Sequence, residues 1–392
     1  MLDFNKDALC VGCTACFSAC PVKAINMVQS DHGFYISAID EEKCISCGGC
    51  ERVCPVLKNN YSRDFASVDC EYAYCLNEEN RLASSSGGIF YELAQRTIFD
   101  GGIVCGCLWN EDFVAHHVCS DDIEIVNQMR LSKYVQSNLE NCFSEIKDYI
   151  KHRKVMFIGT PCQAIALHAI VGESDNLLIC AVVCGGVPSP EVWRLYKDAV
   201  EQKAGSKIKT INMRTKARSW LLPSIEINFT NGKQIIEVLT QNLYGASFYK
   251  GLQILEACMQ CTYKLDCVEA DIIMGDHWGI DPEMLKKSRD SGVSSVMLLT
   301  DKGKDAFEAI KPDLFSVKGN VAEVVSSHHV LTKQHEPNTH RNDFFHELHN
   351  VDIMENLQRF LEKPKHGTLK RILFKTKMYE PFYKTIWMYR HK

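Results

Sequence analysis

Residues 10–21 read CVGCTACFSACP, and residues 44–55 read CISCGGCERVCP. Both follow the spacing CxxCxxCxxxCP, with the proline in place each time. Three thiolates so spaced wrap three irons of one [4Fe-4S] cube, while the fourth reaches across to the other cube. The pattern assigns Cys10, Cys13, Cys16 and Cys54 to one cluster, and Cys44, Cys47, Cys50 and Cys20 to a second. Zinc also takes CxxC pairs, but it has no use for a third regular step followed by Cys-Pro. Gly12, Ala15, Gly48 and Gly49 let the loops curl close to a cluster, and each proline fixes φ as the chain leaves.

Between the runs, AINMVQSDHGFYISAID (24–40) alternates around Asp31-His32-Gly33, a hairpin signal. The block resembles a bacterial dicluster ferredoxin domain over about residues 1–60.

A polar stretch without periodicity follows Cys54 and reads as a linker. Short apolar runs then alternate with amphipathic ones. EYAYCLN (71–77), GIVCGCLWN (102–110), KVMFIG (154–159) and LLICAVVC (177–184) predict strands; 89–99, 139–152 and 189–204 predict helices. That rhythm predicts an α/β domain with a largely buried sheet. From Ile208 the pattern turns to hairpin-like strands, SIEINFTNGKQIIEVLT with Asn231-Gly232 at the turn, then DIIMGD and GVSSVMLLT, then helices. The expected divisions are 1–60, 70–205, 206–331 and a helical tail over 332–392.

Three loops carry chemistry. SSSGG (84–88) precedes a predicted helix, where free N–H groups form an anion site or merely an N-cap turn. GTPCQA (159–164) lies where a strand ends and a helix opens, the place where open α/β sheets bind ligands. Cys162 there reads as nucleophile, ligand or small buried thiol. VCGGVPSPEVW (183–193) repeats the design with Cys184 at its strand end. No GxGxxG follows a strand, so a Rossmann-type dinucleotide site is not supported.

In order, SSSGGIF, SKYVQS, IGTPCQ, VCGGVPSP, MRTKARSW, CMQCTYKLDC and DIIMGDHWGI resemble the coenzyme F420 hydrogenase/dehydrogenase beta-subunit family. The resemblance, with the ferredoxin block, spans about residues 1–331. It implies an α+β dicluster module followed by an α/β flavin-binding domain with a mixed sheet. It also implies FAD, with Ser86, Gly87, Gly88, Lys133, Thr160, Gln163 and Asp276 around it. Lys133 would bring positive charge to the pyrophosphate or the ring, and Trp278 lies near Asp276 in sequence. Where relatives carry Cys-His-Gly, this chain has Cys184-Gly185-Gly186, so that histidine is missing.

Cys258, Cys261 and Cys267 in ACMQCTYKLDC predict a third [4Fe-4S] cluster. The fourth ligand is Cys184 or Cys162, with Cys184 preferred; Cys162 would then face the flavin. The remaining thiols, among them Cys105, Cys107, Cys119 and Cys142, read as small buried hydrophobes. The expected activity is an oxidoreductase in which clusters pass single electrons and FAD exchanges a hydride with an organic substrate, F420-like or other. The rival is a non-enzymatic subunit that wires a partner redox enzyme.

Composition bounds the partners. Twenty cysteines stand in a chain of 392 residues with net charge −5. Such a chain has no basic field for nucleic acid, so a redox protein or reduced ferredoxin is the expected partner. No secretory signal or apolar span is evident, which predicts a cytoplasmic protein. Residues 363–392 hold nine Lys/Arg, one acidic residue and a run of aromatics. This tail predicts either peripheral contact with an anionic membrane or a helix packed on the protein.

Overall fold

The computed structural model describes residues 10–58, 64–65, 68–281, 290–336 and 338–361. The basic tail over 363–392 lies outside the described residues, as does much of the expected linker. Among the described residues, thirteen strands run in chain order: β1 (Ile25–Gln29), β2 (Tyr35–Ile39), β3 (Asp69–Cys75), β4 (Ile103–Trp109), β5 (Ala115–Ser120), β6 (Val155–Gly159), β7 (Leu177–Val182), β8 (Ile208–Thr215), β9 (Ser224–Phe229), β10 (Gln234–Val238), β11 (Ile272–Asp276), β12 (Ser294–Leu298) and β13 (Leu314–Lys318).

An eight-stranded sheet in the order β13-β3-β12-β11-β7-β6-β4-β5 forms the centre. β4, β6, β7 and β11 are mutually parallel, and antiparallel pairs flank them. The sheet is therefore mixed, and the segments 70–205 and 206–331 share it. Its inner strands are apolar at nearly every position because helices cover both faces. On one face Cys105, Val155 and Phe157 join Cys142, Phe143 and Leu167 in a core. On the other, Val104 and Met156 pack with Ile89, Leu93 and Phe307. The helix Ile89–Phe99 forms over the stretch whose periodicity predicts it.

β8, β9 and β10 form a separate antiparallel sheet, with the Asn231-Gly232 turn between β9 and β10. Its inner residues Ile211, Ile225 and Ile227 share a core with Trp193 and Tyr196 of the helix Pro190–Ala204.

β1 and β2 pair as the hairpin signal predicts. The N-terminal module is fastened to the rest through this hairpin. The Gln136 side chain accepts from Tyr35 N–H at 2.7 Å and donates to Tyr35 C=O at 3.0 Å, as a neighbouring strand would. Ser189, the N-cap of Pro190–Ala204, donates to the His32 carbonyl at 2.6 Å. Gly12 sits in this contact with φ +65°, and a Cβ there would lie 2.3 Å from the Gln136 amide nitrogen.

Candidate functional site

The two cysteine runs fold alike. Thr14 (φ 60°) and Gly48 (φ 67°) adopt left-handed conformations that start the short helices Ala15–Ala19 and Gly49–Val53. Both helices end at an extended cysteine, Cys20 and Cys54, with a proline next in each case. Cys10, Cys13, Cys16 and Cys54 line one small cavity, and all four are buried. Burial, then Cys10, pushes the Cys16 thiol up to about 12. Filling such a site with a cation therefore releases protons, because the ligand form is the thiolate. Cys20, Cys44 and Cys50 are only partly buried and Cys47 is exposed. The second site faces solvent.

A second small cavity lies where β6 and β7 end. The helix Pro161–Val171 begins right after β6, and Thr160 N–H donates to Gln163 Oε1 at 2.9 Å to close its first turn. That places Cys162 at the sheet's rim. Cys184 follows β7, the parallel neighbour of β6. Cys162, Cys184, Cys258 and Cys261 all line this cavity, together with Val11 and Tyr263. Burial, then Cys184, raises the Cys162 thiol to about 12. Burial likewise raises Cys184 to about 11. Gly186, at φ +110°, brings the loop within contact of Cys258.

Of the three cysteines of ACMQCTYKLDC, Cys258 and Cys261 share this lining with Cys162 and Cys184, while Cys267, at the end of the single turn Leu265–Cys267, is not part of it. Cys162 does not line the larger cavity.

That larger cavity, of about 310 Å³, lies on the other side of the same strand ends. Cys184, Gly185, Gly186 and Val187 line both cavities and form the wall between them. Ser84–Ser86 and Gly88 form one rim, and Thr160, Gln163 and Asp276 lie at strand ends. Gly87 is not part of the lining. Its Cα faces the sheet, where a Cβ would meet the Ala73 carbonyl at 2.4 Å, and its N–H donates to Ser294 Oγ. The serine loop is stitched in place: Ser86 Oγ donates to Val293 C=O at 2.7 Å, and Arg130 donates to Ser84 Oγ at 2.9 Å.

Lys133 and Arg130 bring positive charge to this cavity. Lys133 Nζ donates to the Gln128 and Arg130 carbonyls, each at 2.8 Å. Burial lowers it to about 8, so it is mostly charged at neutral pH and loses its proton in mild alkali. His117 of β5 also lines the cavity. It is 5% exposed, and neither ring nitrogen has a well-formed hydrogen bond. Burial lowers it to about 4, against a weak opposing pull from the Ile158 carbonyl, so the imidazole is neutral at pH 7.

Residues 152–320 match the family described as coenzyme F420 hydrogenase/dehydrogenase, carboxyl terminus of the beta subunit. Residues 9–57 match the 4Fe-4S dicluster domain. Over that carboxyl-terminal region the chain is F420 hydrogenase beta-subunit-like. With its dicluster region it is an iron–sulfur redox protein. Among solved structures it is similar to a chain titled as the xenon-derivatised F420-reducing [NiFe] hydrogenase complex from Methanosarcina barkeri, at 16% identity and TM-score 0.43, over 80% of this chain and 89% of that one. No curated protein matches. Among the described residues, no helix is long and apolar enough to cross a membrane.

Two motifs distant in sequence converge beside the larger cavity. Arg214 of MRTKARSW donates to Asp276 Oδ2, and Trp220 of the same motif donates to Asp276 Oδ1 at 2.7 Å. Trp220 stacks on Trp278 with ring centroids 5.2 Å apart. Motif reading placed Asp276 at a strand end, but it did not reveal Arg130 or His117. Arg130 sits between predicted elements, and His117 lies in a polar-looking strand. A lone histidine beside an alternating apolar pattern was the available signal for the latter.

Proposed function

We propose that the chain is an iron–sulfur flavoprotein oxidoreductase. Cys20, Cys44, Cys47 and Cys50 would hold the cluster nearest solvent, where a partner redox protein could dock, and Cys10, Cys13, Cys16 and Cys54 the buried one. Cys162, Cys184, Cys258 and Cys261 would hold a third cube, and the clusters would supply single-electron transfer. The observation that carries this reading is the shared wall Cys184–Val187, which sets the third cysteine site against the larger cavity.

The larger cavity has the size and mixed lining of a small-molecule site. Its residues fit FAD. The N-terminus of the eleven-residue helix Ile89–Phe99, with Arg130 and Lys133, suits a pyrophosphate. Ile89, Phe90, Tyr134, Val135 and Phe248 offer apolar surface to a ring system. Bound FAD would supply the conversion between single electrons and hydride chemistry on an organic substrate. Lys133 and Arg130 would hold the anion.

Anaerobic purification with cofactor analysis tests the reading. The expected result is about twelve irons per chain, four for each of three cubes, with flavin released on denaturation. About eight irons and no flavin would replace it with an electron relay serving a separate enzyme.

A further inference from the structure

We propose that Cys105, Cys119 and Cys142 form a mononuclear site for a thiophilic divalent ion of the zinc class, separate from the iron–sulfur centres. β4 carries Cys-Gly-Cys and β5 carries His-Val-Cys. Their antiparallel register sets Cys105 opposite Cys119 and Cys107 opposite His117, so all four side chains stand on one face of the sheet. Cys142 reaches the same point from the first turn of the helix Cys142–Tyr149. The three sulfurs all lie within 4.8 Å of one another. Cys105 and Cys142 are almost wholly buried, and Cys119 is partly so.

The spacing suits a single ion. Zinc–sulfur bonds of about 2.3 Å in a tetrahedron place sulfurs about 3.8 Å apart. Cys119 and Cys142 Sγ are 3.8 Å apart. Cys105 and Cys119 are joined as a disulfide in the structure. A chain whose other cysteines must serve clusters as thiolates works where thiols are reduced. Opening this bond takes two electrons and two protons, supplied by a dithiol reductant, and yields two thiols beside the third. Binding Zn²⁺ then releases three protons and forms three Zn–S bonds. His117 is the histidine on the same face, two residues before Cys119. Its ring nitrogens lack a well-formed partner and lie outside the 4.8 Å grouping of the three sulfurs, so it would reach the fourth position by a side-chain rotation. Three cysteines and one histidine are a common structural zinc set. The ion would tie the β4–β5 edge of the sheet to the helix Cys142–Tyr149.

The test uses full-length protein, purified anaerobically with dithiothreitol, with zinc and iron counted per chain and Co²⁺ as a spectroscopic probe. The wild type is expected to hold one more zinc than Cys142→Ser at equal iron content. Co²⁺ should give a thiolate charge-transfer band that Cys142→Ser loses and His117→Gln shifts. Equal zinc in wild type and Cys142→Ser would overturn the site. So would a Cys105–Cys119 bridge that persists in peptide maps after reduction and zinc loading. Should Cys142→Ser lose iron through misfolding, the His117→Gln cobalt spectrum decides alone: an unchanged spectrum rejects the site as proposed.

Discussion

Arg214 and Asp276 meet at 3.0 Å, a nearly buried ion pair that joins the β8 end of the small sheet to the β11 end of the large one. Arg214 is 4% exposed at its side chain and Asp276 18%. Burial disfavours the guanidinium, but Asp276 overcomes this and holds it charged. The Trp220 indole uses the second carboxylate oxygen, so one aspartate fastens both partners.

Removing one partner of such a pair leaves a buried charge alone, which costs about 3–5 kcal/mol. Arg214→Ala should therefore lower the thermal midpoint sharply. Asp276→Asn keeps an acceptor for Trp220 but leaves the more buried Arg214 guanidinium without its counter-charge, so it should lower the midpoint by a comparable amount. Melting curves of the two variants under argon check this.

The assignment of the third cube to strand-end cysteines predicts an asymmetric result. Cys162→Ser and Cys258→Ser should each lose about four irons, whereas Cys267→Ser should keep the full count. Iron analysis with electron paramagnetic resonance of the reduced proteins distinguishes them. Loss of a cluster in Cys267→Ser with full iron in Cys162→Ser would reverse the assignment.

Lys133 should make anion binding pH-dependent. Its amine is charged below about 8 and neutral above, because burial depresses it from the usual lysine value. FAD affinity should thus be nearly flat from pH 6 to about 7.5 and fall as pH rises through and beyond 8. A ligand phosphate moves the fall somewhat upward by favouring the charged amine. Lys133→Gln should bind FAD more weakly and lose that fall, as fluorescence titrations at several pH values would show.

The two dicluster sites differ in access, so they should differ in lability. The site containing exposed Cys47 should give up iron first to a chelator, while the buried site of Cys10, Cys13, Cys16 and Cys54 persists. Biphasic iron release is the expected trace, and Cys47→Ser should remove its fast phase.

The dicluster motif was readable because its spacing is local, with cysteines at fixed steps in each loop, and Cys10, Cys13, Cys16 and Cys54 line one cavity. The helix Ile89–Phe99 and the hairpins β1–β2 and β9–β10 were readable for the same reason. β5 and β13 were not, since they are the sheet's edge strands and lack the continuous apolar run of its inner members. Cys267 is near Cys261 in sequence, whereas the approach of Cys162 and Cys184 to Cys258 and Cys261 depends on the parallel pairing of β6 and β7, which no local spacing reveals. His117 escaped notice because its setting depends on which side of β4 its strand lies. Gly87 was read with its neighbours as lining, yet alternation along the loop turns it toward Ala73.

The strand order also bears on how the protein is made. Every dicluster cysteine lies within the first 54 residues, and the module's hairpin is local. β3, by contrast, pairs only with β12 and β13, more than two hundred residues later. Pairings so distant form late and leave strand edges open meanwhile. Cys162 and Cys184 must likewise wait for the segment bearing Cys258 and Cys261. Iron–sulfur insertion is therefore ordered in time: the dicluster cysteines can be filled early in synthesis, and the site of Cys162, Cys184, Cys258 and Cys261 only once the later segment has been made.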